Sequence, residues 1–258
     1  MSNPKIAIIL YTVREPAAED LVGTLKRVRA IGFEYVQWSG MPALPADQIR
    51  RALDKADLEA IACHCAVEPF EENFDEEATF WKTVGVAHVA PGGMMNDCRE
   101  PLDAWVRGAR RLDALGAKLR AAGLQLSYHN HDFELGAFED DPRPKLDILY
   151  EETAPENLCA ELDLAWVYAG GADPVAYVRK YAQRCPLIHV KDLRAERKEG
   201  RVQFAELGRG VLDWPAIFDA ARESGVEWCI YEQDQDFSTG DPLDSAQVSY
   251  AFLKEHLG

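Results

Sequence analysis

Short apolar runs alternate with longer amphipathic ones along the whole chain, and this alternation restricts the fold more than any other feature. The apolar runs are Lys5–Leu10, Tyr35–Trp38, Ala60–His64, His88–Ala90, Leu124–His129, Leu158–Leu162, Leu187–Val190 and Trp228–Tyr231. Each is short and bounded by glycine, proline or charged residues, as strands of a parallel sheet covered on both faces should be. Between them the apolar spacing turns helical. Asp20–Ile31 places Leu21, Leu25, Val28 and Ile31 on one stripe, and Gly32 stops it. Pro101–Ala122 is a longer amphipathic stretch. Asp173-Pro174 and Asp213-Trp214-Pro215 are helix starts, Gly225 closes the second of these helices, and Asp244–Leu257 reads as the last helix. The segments IGFEYVQW, AAGLQLSYH and ESGVEWCIY each pass from a helix end through glycine into a strand. That repeat is the mark of stacked βα units with right-handed crossovers.

Eight such units in 258 residues predict an α/β chain folded as one (β/α)₈ TIM barrel domain spanning 1–258. The first βα turn, ILYTVREP, has no glycine-rich phosphate loop, which argues against dinucleotide binding. The polar segment Leu193–Gln203 reads as a long loop after the seventh strand. A formal net charge of -16 repels phosphate backbones and anionic lipid, so neither nucleic acid nor membrane is an expected partner. The six cysteines lack CxxC spacing and sit mostly in apolar runs. They read as reduced, buried thiols, and a cytoplasmic location is the expectation. MSNPKIAIILYT reads as a strand, not a signal peptide.

A barrel of this type carries its chemistry where the strands end. The polar strand ends here are His64, then His129-Asn130-His131, Asp163, His189 with Lys191 and Asp192, and Glu232 with Asp234. Alternate strand residues face one way, so His129 pairs with His131, Glu161 with Asp163, and His189 with Lys191. Imidazoles and carboxylates from strands five to eight therefore converge. Such a mixed nitrogen and oxygen set suits Mn²⁺, Co²⁺, Zn²⁺ or Mg²⁺ with positions open for substrate oxygens. Plainer readings stand beside this one. His129 and His131 could cap loop backbone, Lys191 and Asp192 could be a simple ion pair, and Asp234 and Asp236 could be solvated. Glu161 could support the cluster or plug the barrel. In CHC, Cys63 and Cys65 point away from His64, so these three cannot share one metal.

Several of these segments carry a family resemblance. LYTVRE, YHNHDFE, ELDLAWVYAGG, IHVKDL, ELGRGVLDWPAIF and YEQD, in that order from end to end, resemble the sugar phosphate isomerase/epimerase family of xylose-isomerase-like TIM barrels. The resemblance implies one divalent metal, Mn²⁺ first, held by residues of strands five to eight. Carried over by position these are His129, Asp163, His189 and Glu232. His129 departs from the glutamate that many members have on strand five, one of the two proton-transfer bases of the epimerases.

The implied activity is isomerisation or epimerisation of a ketose- or aldose-type substrate through a metal-stabilised enediolate. Glu232 or His131 would take the proton, and Lys191 would donate to the oxyanion. A lyase or dehydratase on a keto-cyclitol or 3-keto-glycoside would use the same enolate. A non-catalytic sugar-binding barrel is a further alternative, and the acidic charge counts against an endonuclease. His64, Tyr11, Trp38, Trp166 and Arg209 are the expected substrate contacts. The expected partner is a small sugar or cyclitol, with a homo-oligomer possible by analogy.

Overall fold

The computed structural model describes residues 2–258. Eight parallel strands close into one barrel. They are β1 (Lys5–Ile9), β2 (Tyr35–Trp38), β3 (Glu59–His64), β4 (His88–Ala90), β5 (Gln125–His129), β6 (Leu158–Asp163), β7 (Leu187–Val190) and β8 (Trp228–Tyr231). Each strand pairs with the next, and β8 closes on β1 with Lys5 opposite Trp228. Outside lie α1 (Leu21–Ile31), α2 (Ala46–Ala56), α3 (Phe74–Val84), α4 (Leu102–Ala121), α5 (Lys145–Glu151), α6 (Pro174–Lys180), α7 (Trp214–Ser224) and α8 (Pro242–Leu257). The chain is an α/β single-domain TIM barrel, as its alternation predicts.

Local chemistry explains the boundaries. Asp20, Asp173, Asp213 and Asp241 each cap the helix that follows, accepting a hydrogen bond from a first-turn amide. The cap at Asp241 starts the last helix at Pro242, two residues ahead of the expected Asp244. Gly225 ends α7 at φ 74°, a backbone setting costly for side chains with a Cβ. Two packed layers result. Trp105, Leu112, Leu119, Trp214 and Phe218 fill the space between barrel and helices, all at most 1% exposed. Ala7, Ile9, Ile61, Ala62, Leu187, Trp228 and Ile230 fill the barrel interior.

Two short two-stranded sheets stand outside the barrel wall. One corrects the expected loop after strand seven. Asp192–Leu193 pairs antiparallel with Phe204–Ala205, so the polar segment between them is a hairpin. Its backbone bonds are partly satisfied internally, with Lys198 bridged to Arg201. Composition alone did not reveal this, because the paired strands are only two residues each.

A candidate metal centre at the barrel mouth

At the C-terminal ends of β3 and β5–β8, inward-facing side chains meet in one buried cluster. His129, Asp163, His189 and Glu232 offer donor atoms that all lie within 4.8 Å of one another. A second, overlapping set comprises His64, His129, Glu161 and His189. The register of the sheet produces this convergence. His129 lies opposite Glu161 across β5 and β6, and Asp163 lies opposite His189 across β6 and β7. Because strand side chains alternate, Glu161 and Asp163 then share the inner face.

Each donor is aimed by a specific neighbour. Asp163 Oδ1 caps the short helix Leu164–Ala169 by accepting from Trp166 N at 3.0 Å, which leaves Oδ2 for the cluster. Asn130 clamps the Asp163 backbone: its Oδ1 accepts from Asp163 N at 3.0 Å, and its Nδ2 donates to Asp163 O at 3.3 Å. His189 spans two carboxylates, with Nδ1 2.7 Å from Glu232 Oε2 and Nε2 2.9 Å from Glu161 Oε1. The Lys191 ammonium lies 3.1 Å from Asp163 Oδ2, 3.0 Å from Glu232 Oε2 and 3.4 Å from Asp234. The plainer alternative, a simple Lys191–Asp192 ion pair, is therefore not what forms. Asp192 points to the other side and accepts backbone amides of the 208–212 loop.

The electrostatics are those of a crowded pocket. Burial alone would raise Glu161 and Glu232, yet His64 and His189 hold Glu161, and Lys191 and His189 hold Glu232, well below the usual carboxylate range. Burial would lower His189, but its two carboxylates push it up to about 9. His129 is driven well below the usual imidazole range by burial and by neighbouring His189, and burial with Lys191 nearby takes His131 down to about 4. Burial and the proximity of Glu232 raise Asp163, and raise Asp234 to about 7. Four carboxylates share this space with one lysine and the raised His189, and the last two cannot ionise at their ordinary values. A divalent cation would offset that crowding of negative charge.

The residues present fit one. Among the described residues, the buried side-chain atoms without a hydrogen-bond partner are Gln37 Oε1, His129 Nδ1, His131 Nδ1, Glu161 Oε2, Trp166 Nε1 and Asp163 Oδ2, the last of which has only its ion pair with Lys191. All six belong to this mouth or its immediate wall, where buried polar groups are otherwise normally satisfied. Two imidazoles and two carboxylates are donors suited to a first-row divalent ion, and their spacing permits one to bind all four.

A cavity of about 590 Å³ opens above the cluster, a size suited to a small polar ligand. Tyr11, His64, His131, Trp166, Lys191 and Glu232 all face it. Two expected substrate contacts do not. Trp38 is 5% exposed and packs in the outer core, because alternation along β2 turns its neighbour Gln37 inward instead. Arg209 lies outside, within 3.4 Å of Ser238 and 3.9 Å of Glu206. The guanidinium groups that do line the cavity, Arg197 and Arg201, come from the hairpin. Asp234, offered as solvated, lines the cavity beside Lys191. Gln37 escaped the sequence reading, although a lone polar residue inside the apolar run YVQW was an available signal. Asn130 was read only as a polar strand end; its clamp on Asp163 had no signal, since it depends on β6.

Comparison with known proteins agrees with the fold. A sugar phosphate isomerase/epimerase from Parabacteroides distasonis superposes with a TM-score of 0.81 at 20% identity, covering 98% of this chain and 94% of that one. The IOLI protein, solved with a bound zinc atom, superposes with a TM-score of 0.74 at 14% identity, covering 98% of each chain. Inosose dehydratase from Lacticaseibacillus casei is 28% identical over 165 residues, 58% of this chain. The aligned part spans 54% of that enzyme, about half its length. The sequence model of the xylose isomerase-like TIM barrel matches residues 25–256, and with the barrel just described it establishes that this chain belongs to the xylose isomerase-like TIM barrel family.

Proposed function

We propose that the chain is a divalent-metal-dependent enzyme that removes the proton next to the carbonyl of a ketose- or aldose-type substrate and returns it, as an isomerase or epimerase. The observation that carries this reading is the cluster of His129, Asp163, His189 and Glu232, whose donor atoms lie within 4.8 Å of one another beside an open cavity. These four residues would hold the ion, Mn²⁺ first among the candidates. A bound divalent ion supplies Lewis-acid polarisation of a carbonyl. The protein supplies the rest. Lys191 presents an ammonium from the cavity wall as a hydrogen-bond donor to negative charge developing on oxygen. Glu232 or His131, both facing the cavity, takes the proton. Tyr11 and Trp166 offer ring surfaces to a sugar.

A second reading, elimination from a keto-cyclitol or 3-keto-glycoside, has its own support. His129 stands where many relatives by resemblance have glutamate, so no carboxylate on β5 is available for a symmetric two-glutamate exchange. The 28% identical relative is named an inosose dehydratase. One test covers both. The Mn²⁺-loaded protein is mixed with D-fructose or an inosose in D₂O and followed by NMR and ultraviolet absorbance. Deuterium entering next to the carbonyl supports enolisation, and an unsaturated product selects elimination. No exchange on a panel of ketoses, with sugar binding intact, would move the chain to a non-catalytic sugar-binding role.

A further inference from the structure

Four imidazoles meet at the mouth. His129 lies 4.7, 5.2 and 4.4 Å, centroid to centroid, from the rings of His64, His131 and His189. His129 and His189 belong to the proposed ion-holding set. The other two differ in one respect. His131 has no group to orient it: its Nδ1 is buried without a partner, and its ring rests against Phe133 and Trp166. His64 has one, because its Nε2 lies 2.7 Å from Glu161 Oε1. An ionised carboxylate only accepts, so His64 Nε2 must carry the hydrogen and, in the neutral ring, Nδ1 keeps the lone pair.

Glu161 is itself fixed. It is 0% exposed, and the same Oε1 accepts from Gln37 Nε2 at 2.7 Å and from His189 Nε2 at 2.9 Å. With three donors aimed at it, this oxygen is committed to orienting imidazoles. His64 lines the cavity from β3, across the closed barrel from β7 and three strands from β8. An imidazole that lines a cavity, with a carboxylate behind one nitrogen and no hydrogen bond at the other, is the arrangement of an oriented general base.

We infer that His64, in place of Glu232 or His131, is the proton acceptor, acting from the β3 wall of the site, and that Glu161 is its positioning residue; this rests on the enolising reaction proposed above. In the step, the C–H bond next to the substrate carbonyl breaks. Its electron pair passes into the carbonyl and its proton goes to His64 Nδ1. The resulting imidazolium pairs with Glu161 through Nε2–H, and the proton is later returned to carbon or given to a departing oxygen. No electrons are gained or lost. By the same rule His189 donates from Nε2 to Glu161 and from Nδ1 to Glu232, so it has no free nitrogen to act as the acceptor.

Two measurements test this. In metal-free protein with ¹⁵N-labelled histidine at pH 8, His64 should show a pyridine-type Nδ1 and a protonated Nε2. Glu161→Gln should weaken that preference. In the Mn²⁺-loaded protein, His64→Gln should lower deuterium exchange into D-fructose or an inosose by about 100-fold or more, the range of general-base contributions. Glu161→Gln should lower it about 10-fold or more. Metal content and melting temperature of His64→Gln should match wild type. A proton on His64 Nδ1, or exchange in His64→Gln within about 3-fold of wild type while His131→Gln abolishes it, overturns the role of His64 and leaves the reaction standing. Wild type that exchanges none of these ketoses overturns the reaction and this role with it.

Discussion

Replacing Asp192 by alanine should destabilise the barrel severely without touching the cavity. The carboxylate is 1% exposed and accepts five hydrogen bonds. Oδ2 takes Gly208 N and Gly210 N at 3.0 Å each, and Trp214 Nε1 at 2.9 Å. Oδ1 takes Leu193 N at 2.9 Å and Leu212 N at 3.3 Å. Bonds to a charged acceptor contribute about 1.5–3 kcal/mol each, and buried donors left unpaired cost a similar amount. Gly208 and Gly210 are exposed and can turn their amides to water, whereas Leu193, Leu212 and Trp214 are buried. Three stranded donors plus a loosened loop give about 3–5 kcal/mol. At about 2–4 °C per kcal/mol for a domain of this size, the melting temperature should fall by about 10 °C. Circular-dichroism melts measure it, with Asp192→Asn expected to fall about half as far because one acceptor oxygen survives. A melting temperature for Asp192→Ala within about 2 °C of wild type would refute the view that this carboxylate holds the loop.

Other outcomes follow from the same geometry. Purified without chelator, wild type should carry about one divalent ion per chain by mass spectrometry and Asp163→Ala almost none, since Asp163 Oδ2 is one of four converging donors. No ion in wild type, even after soaking in Mn²⁺, would remove the basis for metal chemistry. Gly210→Ala places a Cβ 2.1 Å from Asp192 Oδ1, so it should cost about 1–3 kcal/mol in urea unfolding, and a neutral result would contradict that close approach.

Glu134 supplies a pH prediction. Burial raises it to about 7 from an ordinary 4.5, while Tyr128 and the His131 amide pull the other way. A raised carboxylate binds its proton more tightly in the folded state, so its stability contribution is complete below pH 4.5 and is lost as pH rises to 7. The shift corresponds to about 3 kcal/mol. Glu134→Gln, which mimics the protonated acid, should therefore melt progressively higher than wild type between pH 5 and pH 8. A constant difference across that range would sink this account.

The secondary structure was legible because its cause is local. Apolar runs such as LIHV and WCIY, aspartate caps at 20, 173 and 213, and the glycine after α7 act within a few residues, and the structure follows them closely. Strand parity already made the imidazoles and carboxylates of strands five to eight converge, because alternation and barrel closure leave an inward residue few places to go, and the family resemblance singled out His129, Asp163, His189 and Glu232 among them. What parity could not decide is which way a residue near a strand end turns. Trp38 was expected in the cavity, but the alternation of β2 turns it outward and puts Gln37 on the inner face, against Glu161. Asp192 could have paired with Lys191, but the hairpin turns it toward amides up to 20 residues away in sequence. Arg197 and Arg201 reach the mouth because two strands of only two residues pair across the 192–205 segment. The hold of Glu161 on Gln37, His64 and His189 joins β2, β3 and β7 through one oxygen of β6. Local sequence carries the period of each strand; only the closed barrel brings residues 124 positions apart within hydrogen-bonding reach.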